Sequence, residues 1–326
     1  MSAQNRVSVR IDTTEADAVL RILDKRESGT KIDESDWSTL FATEGYIRLK
    51  KRELGLTRPF TEESFREFVM SGELLARREK LGETLARWKQ ASPDAAADRA
   101  LAYLPANATI KATIYPVIKP RDNSFVFEIK TDPAIFLFLD PAVTPEQFEN
   151  TLAHELHHIG FGTACPPTGS KARMERLSSG PQKILRWVGA FGEGLAMLAA
   201  AGGTDTHPHA VSKLADRERW DRDVANFNND LKKVESFFLD LAAGKLTEDE
   251  ETKTAFSFFG VQGPWYTVGW KMAFVIEKTY GRQKLIDCFC SAETLLATYN
   301  RAARQYERRS GEKLAVWSSD LLRRLK

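Results

Sequence analysis

One short segment constrains this chain more than any other: residues 154–158 read His-Glu-Leu-His-His. The outer histidines of the pattern His-Glu-x-x-His are four positions apart, and such residues lie on one face of an α-helix, about one turn apart. The imidazoles of His154 and His158 can therefore bind one zinc ion, and Glu155 then points towards a water on the open side of that metal. His157 lies about 100° around the helix from His158, so we expect it to pack or hydrogen-bond beside the site.

The flanking residues predict a well-defined helix for this segment. Thr144 suits the N-cap, Pro145 suits the first helical position, and Gln147 completes a capping box with Thr144. We expect Gly160 and Gly162 to end the helix. The alternative interpretation is a surface or core helix that holds three histidines by chance.

A zinc site needs a third protein ligand, and Glu193 is the best candidate. It lies in an apolar stretch from Ile184 to Ala201 and is the only acid between Glu175 and Asp205. A carboxylate in so apolar a helix is costly to bury unless it is paired or bound to a metal. The alternative is an exposed glutamate at a helix start, where its charge favours the helix dipole.

A second polar cluster offers a rival source of ligands. Asp205, His207 and His209 follow two consecutive glycines, at 202 and 203. The composition of residues 202–208 instead favours a loop and the start of another helix.

Three stretches resemble the gluzincin clan of zinc metallopeptidases: residues 154–162 (HELHHIGFG), 192–196 (GEGLA) and 266–273 (YTVGWKMA). The resemblance extends over residues 134–300. Within the clan, the chain resembles little-characterised zinc-dependent peptidases that have this order of motifs. It also resembles, in part, the clan's aminopeptidases. The chain has a longer gap between the histidines and the glutamate than the aminopeptidases. It also lacks their Gly-x-Met-Glu-Asn segment, so the resemblance does not extend to recognition of a substrate amino terminus.

The resemblance implies a zincin-like core and a zinc metallopeptidase that acts on a peptide or protein substrate. In the clan, the two histidines and a downstream helical glutamate bind zinc, which corresponds to His154, His158 and Glu193 here. Glu155 would act as the general base, taking a proton from water and delivering it to the leaving nitrogen. Two other functions stay open: a zinc hydrolase of a non-peptide substrate, and a catalytically silent zinc-binding interaction protein.

Tyr266 is the candidate for a second donor to the developing oxyanion. A phenol stays protonated at neutral pH and can donate a hydrogen bond opposite the metal. Tyr266 follows Gly263 and Pro264 at a predicted helix start, and Gly269 comes three residues later, as in the similar aminopeptidases. The alternative is that Tyr266 belongs to an aromatic core cluster with Trp265 and Trp270.

Composition limits the other function classes. A chain of 326 residues can bury a sizeable core in one or two lobes. The net charge is +2, from 47 basic and 45 acidic residues, so no strong field favours nucleic acid or an anionic membrane. No apolar run reaches membrane length, and residues 1–12 contain no signal-peptide core.

Cysteine usage gives a weak indication of the compartment. None of Cys165, Cys288 and Cys290 has the spacing of a zinc site, and the last two are too close in sequence for an easy disulfide. A reducing, cytoplasmic location is therefore expected, although an exported protein whose leader has been removed would look the same.

The hydrophobic patterns predict an α+β fold that is predominantly α-helical. We divide the chain into a helical region (1–105), a catalytic core (106–205) and a second helical region (206–326) that completes the cleft. The irregular connection 162–180 could border the cleft or be an exposed insertion.

The same patterns predict the individual elements. Predicted helices cover 14–25, 35–41, a segment capped by Thr61, 73–90, 93–104, 208–243 (long or broken), 264–280, 283–289, 291–306 and 314–325. Predicted strands lie near 110–114, 125–129 and 134–139.

Overall fold

A computed structural model describes residues 6–56, 58–165 and 177–325 of the chain. These residues form two compact units. The first unit comprises Met1–Ala95 and Ile110–Glu149, and the second comprises Ala96–Thr109 and Asn150–Lys326. The described residues are mostly helical with one small sheet, so the predicted α+β, predominantly helical class is confirmed. The division into three functional regions stays a prediction.

The first unit contains a four-stranded sheet in the order β1-β2-β4-β3. Strand β2 (Ile110–Val117) is parallel to both β1 (Val7–Ile11) and β4 (Ala134–Phe138), and β3 (Phe125–Phe127) is antiparallel to β4. Nearly every residue of β2 is buried, as expected for a strand between two parallel neighbours.

Helices of the first unit follow β1 along the chain. They are α1 (Thr14–Glu27), α2 (Glu34–Phe41), α3 (Glu44–Gly55), α4 (Glu62–Val69) and α5 (Gly72–Gln90). Thr61 caps α4 through a hydrogen bond from the backbone N–H of Ser64, so the predicted cap is confirmed.

The regular secondary structure of the second unit, in its described residues, is helical. Helix α6 (Asp94–Leu101) begins just before the unit boundary. The helices that follow the metal motif are α8 (Ser179–Val188), α9 (Gly192–Ala200), α10 (Leu214–Ala225), α11 (Phe227–Ala242), α12 (Glu248–Ser257), α13 (Pro264–Tyr280), α14 (Arg282–Phe289), α15 (Ala292–Ser310) and α16 (Ser319–Arg324). Large aromatic side chains fill its core, among them Trp265, Phe191, Phe238 and Trp317.

Helix α7 (Pro145–Ala164) carries the metal motif. The predicted capping box is confirmed: the backbone N–H of Thr144 donates to Gln147 Oε1 at 2.9 Å, and that of Gln147 donates to Thr144 Oγ1 at 3.3 Å. The predicted stop at Gly160 is wrong, because the helix continues through both glycines to Ala164. Glycine lowers helix propensity by only about 1 kcal/mol, which packing can offset.

Other predicted boundaries also change. Strand β1 and helix α3 were not predicted. Strand β3 ends at Phe127 rather than Ile129, because Glu128 adopts a positive φ of 55°. The long or broken helix predicted for 208–243 is broken at Asn226 into two helices, and the first begins only at Leu214, after turns. Most of the predicted connection 162–180 lies outside the described residues.

A disulfide joins Cys165, at the end of α7, to Cys290, which follows α14. The sequence patterns do not indicate this pairing. Cys288 is a free, buried thiol. In the described part of the chain, no helix is both long and apolar enough to span a membrane.

Candidate metal centre

Helix α7 places the two outer histidines of the motif side by side. Because they are one turn apart on one face, the Nε2 atoms of His154 and His158 lie 3.1 Å from each other. Their rings are almost perpendicular, with an interplanar angle of 82°. Both imidazoles therefore direct a ring nitrogen to the same point.

Glu193 brings a carboxylate oxygen to that point. Its Oε2 atom lies 3.2 Å from Nε2 of His154 and 3.2 Å from Nε2 of His158. Ligand atoms at the usual zinc distances of about 2.0–2.1 Å are roughly 3.3 Å apart in a tetrahedral site. The three side chains therefore have both the atom types and the spacing that a zinc ion requires.

Close helix packing fixes the position of the helix that carries Glu193. A Cβ atom on Gly194 would lie 2.0 Å from the backbone nitrogen of Trp270, and one on Gly269 would lie 2.5 Å from the carbonyl oxygen of Phe191. Neither position has room for a side chain. Helices α9 and α13 are in contact at the backbone level here, which sets Glu193 beside Tyr266.

The electrostatics of the cluster favour a positive charge. Although burial opposes its charged form, the carboxylate of Glu193 raises the pKa of His158 to about 9. Burial likewise opposes ionisation of Glu193, yet the two imidazoles hold its pKa well below the ordinary value. A proton or a metal ion can supply the positive charge that this carboxylate stabilises.

Glu155 lines a cavity of about 240 Å³ that also exposes His154. Burial raises the pKa of its carboxyl, while the neighbouring imidazoles of His154 and His158 lower it. A carboxylate beside the metal-binding atoms, with open space in front of it, is placed to exchange a proton with a water molecule.

Tyr266 lines the same cavity at the start of α13. Its ring stacks near that of His154, with a centroid separation of 6.3 Å and an interplanar angle of 17°. Burial, and then the charge and a hydrogen bond of Glu193, raise the pKa of the Tyr266 hydroxyl above its usual value. The phenol therefore keeps its proton and can donate it in a hydrogen bond. Its role as an oxyanion donor stays a prediction.

His157 lies away from the cluster, on the buried side of α7. Its Nε2–H donates to the backbone carbonyl of Tyr103 at 3.4 Å, and burial lowers the pKa of the ring to about 3. The neutral ring agrees with the expectation that His157 packs beside the site. His154 Nδ1 is buried and has no hydrogen-bond partner among the described residues.

The rival cluster does not assemble. Asp205 pairs with Lys278 at 2.6 Å, and His207 pairs with Asp221 at 2.9 Å. Within the described ranges, the one group of histidine, cysteine and acidic side chains that could hold a metal ion is that of His154, His158 and Glu193.

Part of the cavity lining was not expected from the sequence. Pro208, His209, Ser212 and Gln262 line the cavity, together with residues of α7 and α9. The sequence indicates His209 only as a rival ligand. It contains no recognisable signal for Gln262, because the surroundings of that residue come from distant parts of the chain.

Comparison with known proteins identifies a family. A family model described as "Putative zinc dependent peptidase (DUF5700)" matches residues 37–307, which is most of the chain. No curated protein and no solved structure matches the chain.

Proposed function

The chain belongs to the DUF5700 family of zinc-dependent peptidases, and from this premise we propose that it is a zinc metallopeptidase of the gluzincin type. One observation carries the proposal. Three ligand atoms, from His154, His158 and Glu193, converge within 3.2 Å beside a cavity that also exposes Glu155 and Tyr266. One zinc ion per chain fits this set of donors.

When bound, zinc would lower the pKa of a coordinated water and polarise the scissile carbonyl. Glu155 takes a proton from the attacking water as the new carbon–oxygen bond forms. It then delivers that proton to the leaving nitrogen as the carbon–nitrogen bond breaks. The Tyr266 hydroxyl donates a hydrogen bond to the carbonyl oxygen as negative charge develops there.

The arrangement favours catalysis over a purely structural metal site. Structural zinc sites usually have four protein ligands, whereas the described residues here supply three. A structural site also has no need of a carboxylate such as Glu155 facing open space beside the ligands.

The test is Glu155→Gln, because the amide is nearly isosteric but cannot accept a proton at neutral pH. We expect the variant to keep its zinc and its thermal stability and to lose cleavage of a mixed library of fluorescence-quenched peptides. Chelator should abolish cleavage by the unmodified protein. Exposed Glu146, on the same helix, provides the matched control: Glu146→Gln should cleave normally. Near-normal turnover in Glu155→Gln would remove Glu155 from the mechanism.

A further inference from the structure

A second cavity lies within the first unit and is lined mainly by apolar side chains. Its volume is about 260 Å³, and its lining comes from α3, from α4 and the residues before it, and from the segment that follows β2. The apolar residues of the lining are Leu49, Pro59, Phe60, Phe65, Phe68 and Pro120. Because a cavity of roughly 150 Å³ in another protein holds benzene, this one has room for an aromatic or branched aliphatic group.

Lys119 is a buried cation in the lining of this cavity, where its side chain is only 3% exposed. Its Nζ donates to the backbone carbonyl of Arg121 and to Oδ1 of Asn123 at 2.9 Å. The same atom lies 5.7 Å from the ring centroid of Phe125 and 5.6 Å from that of Phe138. All these partners are neutral. An ammonium has three N–H groups, so one is left for a ligand.

The carboxylate nearest to this cation is already used by other side chains. Glu53 lines the same cavity, but it pairs with Arg52 at 2.5 Å and with Arg58 at 3.4 Å. Within the described ranges, no carboxylate forms an ion pair with Lys119 or with the exposed Arg121, which also lines the cavity. A lysine is almost never fully buried unless it is paired with an opposite charge. The cavity therefore lacks an anion.

The charges that face Lys119 leave it protonated at neutral pH. Burial lowers the pKa of its ammonium to about 8, and the charge of Glu53 partly opposes this shift. Arg52 and Arg121 lower the pKa further, whereas Asp122 raises it. Asp122 lines a neighbouring cavity, so it does not occupy the space beside the apolar side chains. A bound anion would meet a charged ammonium at pH 7.

We propose that this cavity binds a carboxylate that is attached to an apolar group. The carboxylate pairs with Lys119, and the apolar group packs against the phenylalanines of the lining. A neutral ligand would leave the buried cation unpaired, and a cationic ligand would be repelled by it. The ligand is either a small free carboxylic acid or the carboxy-terminal residue of a peptide. This inference concerns the first unit alone and does not depend on the proposed function.

Two pairs of probes test the proposal, and the members of each pair differ only in charge. Phenylacetate is compared with phenylacetamide, and N-acetyl-alanyl-phenylalanine is compared with its carboxy-terminal amide. Affinities are measured by ligand-observed NMR at pH 7 on the zinc-loaded protein. Saturating acetohydroxamate is present throughout, so that the carboxylates cannot coordinate a metal ion at the candidate metal centre and the peptides are not cleaved.

We expect at least one acid to bind about tenfold more tightly than its amide, the scale of one charge-assisted hydrogen bond. Lys119→Met keeps an unbranched apolar side chain but removes the ammonium, so this preference should disappear while the amide binds as before. Lys111→Met, which changes an exposed lysine on β2, is the matched control and should keep the preference. A preference confined to phenylacetate identifies a free acid as the ligand, and one shown by the peptide identifies a chain terminus.

Two results would overturn the site: equal affinities for acid and amide in both pairs, or a preference that survives in Lys119→Met. If Lys119→Met does not fold, Arg121→Gln decides, because an exposed side chain can be changed without loss of the fold. We expect Arg121→Gln to lower the preference about threefold, the scale of an exposed ion pair. An unchanged preference in that variant would then reject the site.

Discussion

Two groups of buried charged or ionisable side chains, one in each unit, are stabilised in different ways. In the first unit, the buried side chains of Arg48 and Glu53 both lie beside oppositely charged groups. The Arg48 guanidinium lies 2.7 Å from Glu128 and 2.9 Å from Asp132, and Glu53 lies 2.5 Å from Arg52 and 3.4 Å from Arg58. These charges are neutralised by the protein itself, as buried ions must be.

In the second unit, His154, His158 and Glu193 mainly contact one another. A single carboxylate faces two imidazoles, and either a proton on an imidazole or a metal ion can supply the positive charge that stabilises its charged form. This difference separates a structural ion cluster from a candidate metal site. A structural cluster is held by permanently charged partners of both signs, whereas a candidate metal site directs several ligand atoms to one point that a cation can occupy.

The largest expected effect is on metal binding. Glu193→Ala removes the only carboxylate of the cluster, and we expect zinc affinity to fall by more than about 100-fold, because losing even an outer partner of a ligand costs 10–100-fold. Elemental analysis and chelator titration measure this. His207→Ala, in the rival cluster, should keep one zinc per chain. If the His207 variant loses metal and the Glu193 variant keeps it, Glu193 is not the third ligand and the contrast between the two clusters is wrong.

The next largest effect should distinguish two tyrosine hydroxyls, that of Tyr266 in the cavity and that of Tyr46 in the core of the first unit. Tyr266→Phe should lower turnover by roughly 10²–10³ with little change in KM, the usual scale for one lost oxyanion donor. The matched control is Tyr46→Phe in the first unit, which removes a buried hydroxyl that has no partner among the described residues. That control should not affect turnover. If Tyr266→Phe turned over substrate as fast as Tyr46→Phe and the unmodified protein, Tyr266 would belong to the aromatic core alone.

Breaking an ion cluster in the first unit should affect stability and not metal content. Glu53 is 5% exposed, so Glu53→Ala leaves Arg52 and Arg58 without their shared carboxylate. We expect a loss of about 3 kcal/mol in the free energy of unfolding, at the lower end for a broken buried pair because Arg58 is partly exposed. Urea denaturation measures it. Zinc content that fell along with stability would contradict the separate roles of the two clusters.

The smallest effect concerns Glu15, a buried carboxyl of the first unit. Burial raises its pKa to about 8, against a hydrogen bond from the backbone N–H of Ile118 and the charge of Lys119. Between its unfolded value of 4.5 and about 8, the folded state holds a proton that the unfolded state has lost. Stability should therefore fall as pH rises through that window.

Glu15→Gln should remove this pH dependence and raise the free energy of unfolding on the order of 2 kcal/mol at pH 7. The amide keeps an oxygen for the Ile118 N–H and cannot ionise. Denaturation curves at several pH values between 5 and 8 test this. If the free energy of unfolding of Glu15→Gln depended on pH as strongly as that of the unmodified protein, another group would control this pH dependence.

Features that are encoded within a few consecutive residues could be predicted from the sequence. The capping box of Thr144 and Gln147 and the register of His154 and His158 depend on spacing along one helix. Helix α13 also begins and ends where the pattern from 264 to 280 places it. Glu193 could be selected as a candidate ligand because a lone acid in an apolar helix needs a partner, and the structure places it beside His154 and His158.

Features that depend on distant pairings could not be predicted. Strand β1 pairs Val7 with Ile110, so its partner lies far along the chain and its five residues carry little signal alone. The Cys165–Cys290 disulfide has a sequence separation of 125. The presence of His209 and Gln262 in the lining of one cavity is a property of the fold, which residue types alone do not reveal.

The backbone contact between α9 and α13 has a consequence for how the metal and the fold depend on each other. Gly194 and Gly269 contain no side-chain atom that could bind zinc, yet they set how closely α9, which carries Glu193, packs against α13. A perturbation that widens this contact would displace Glu193 and weaken the proposed metal site even if it changed no ligand. Because metal binding and folding share free energy, zinc bound by His154, His158 and Glu193 would in turn hold α7 and α9 together. The zinc content of a preparation thus reports how intact the interior of the second unit is.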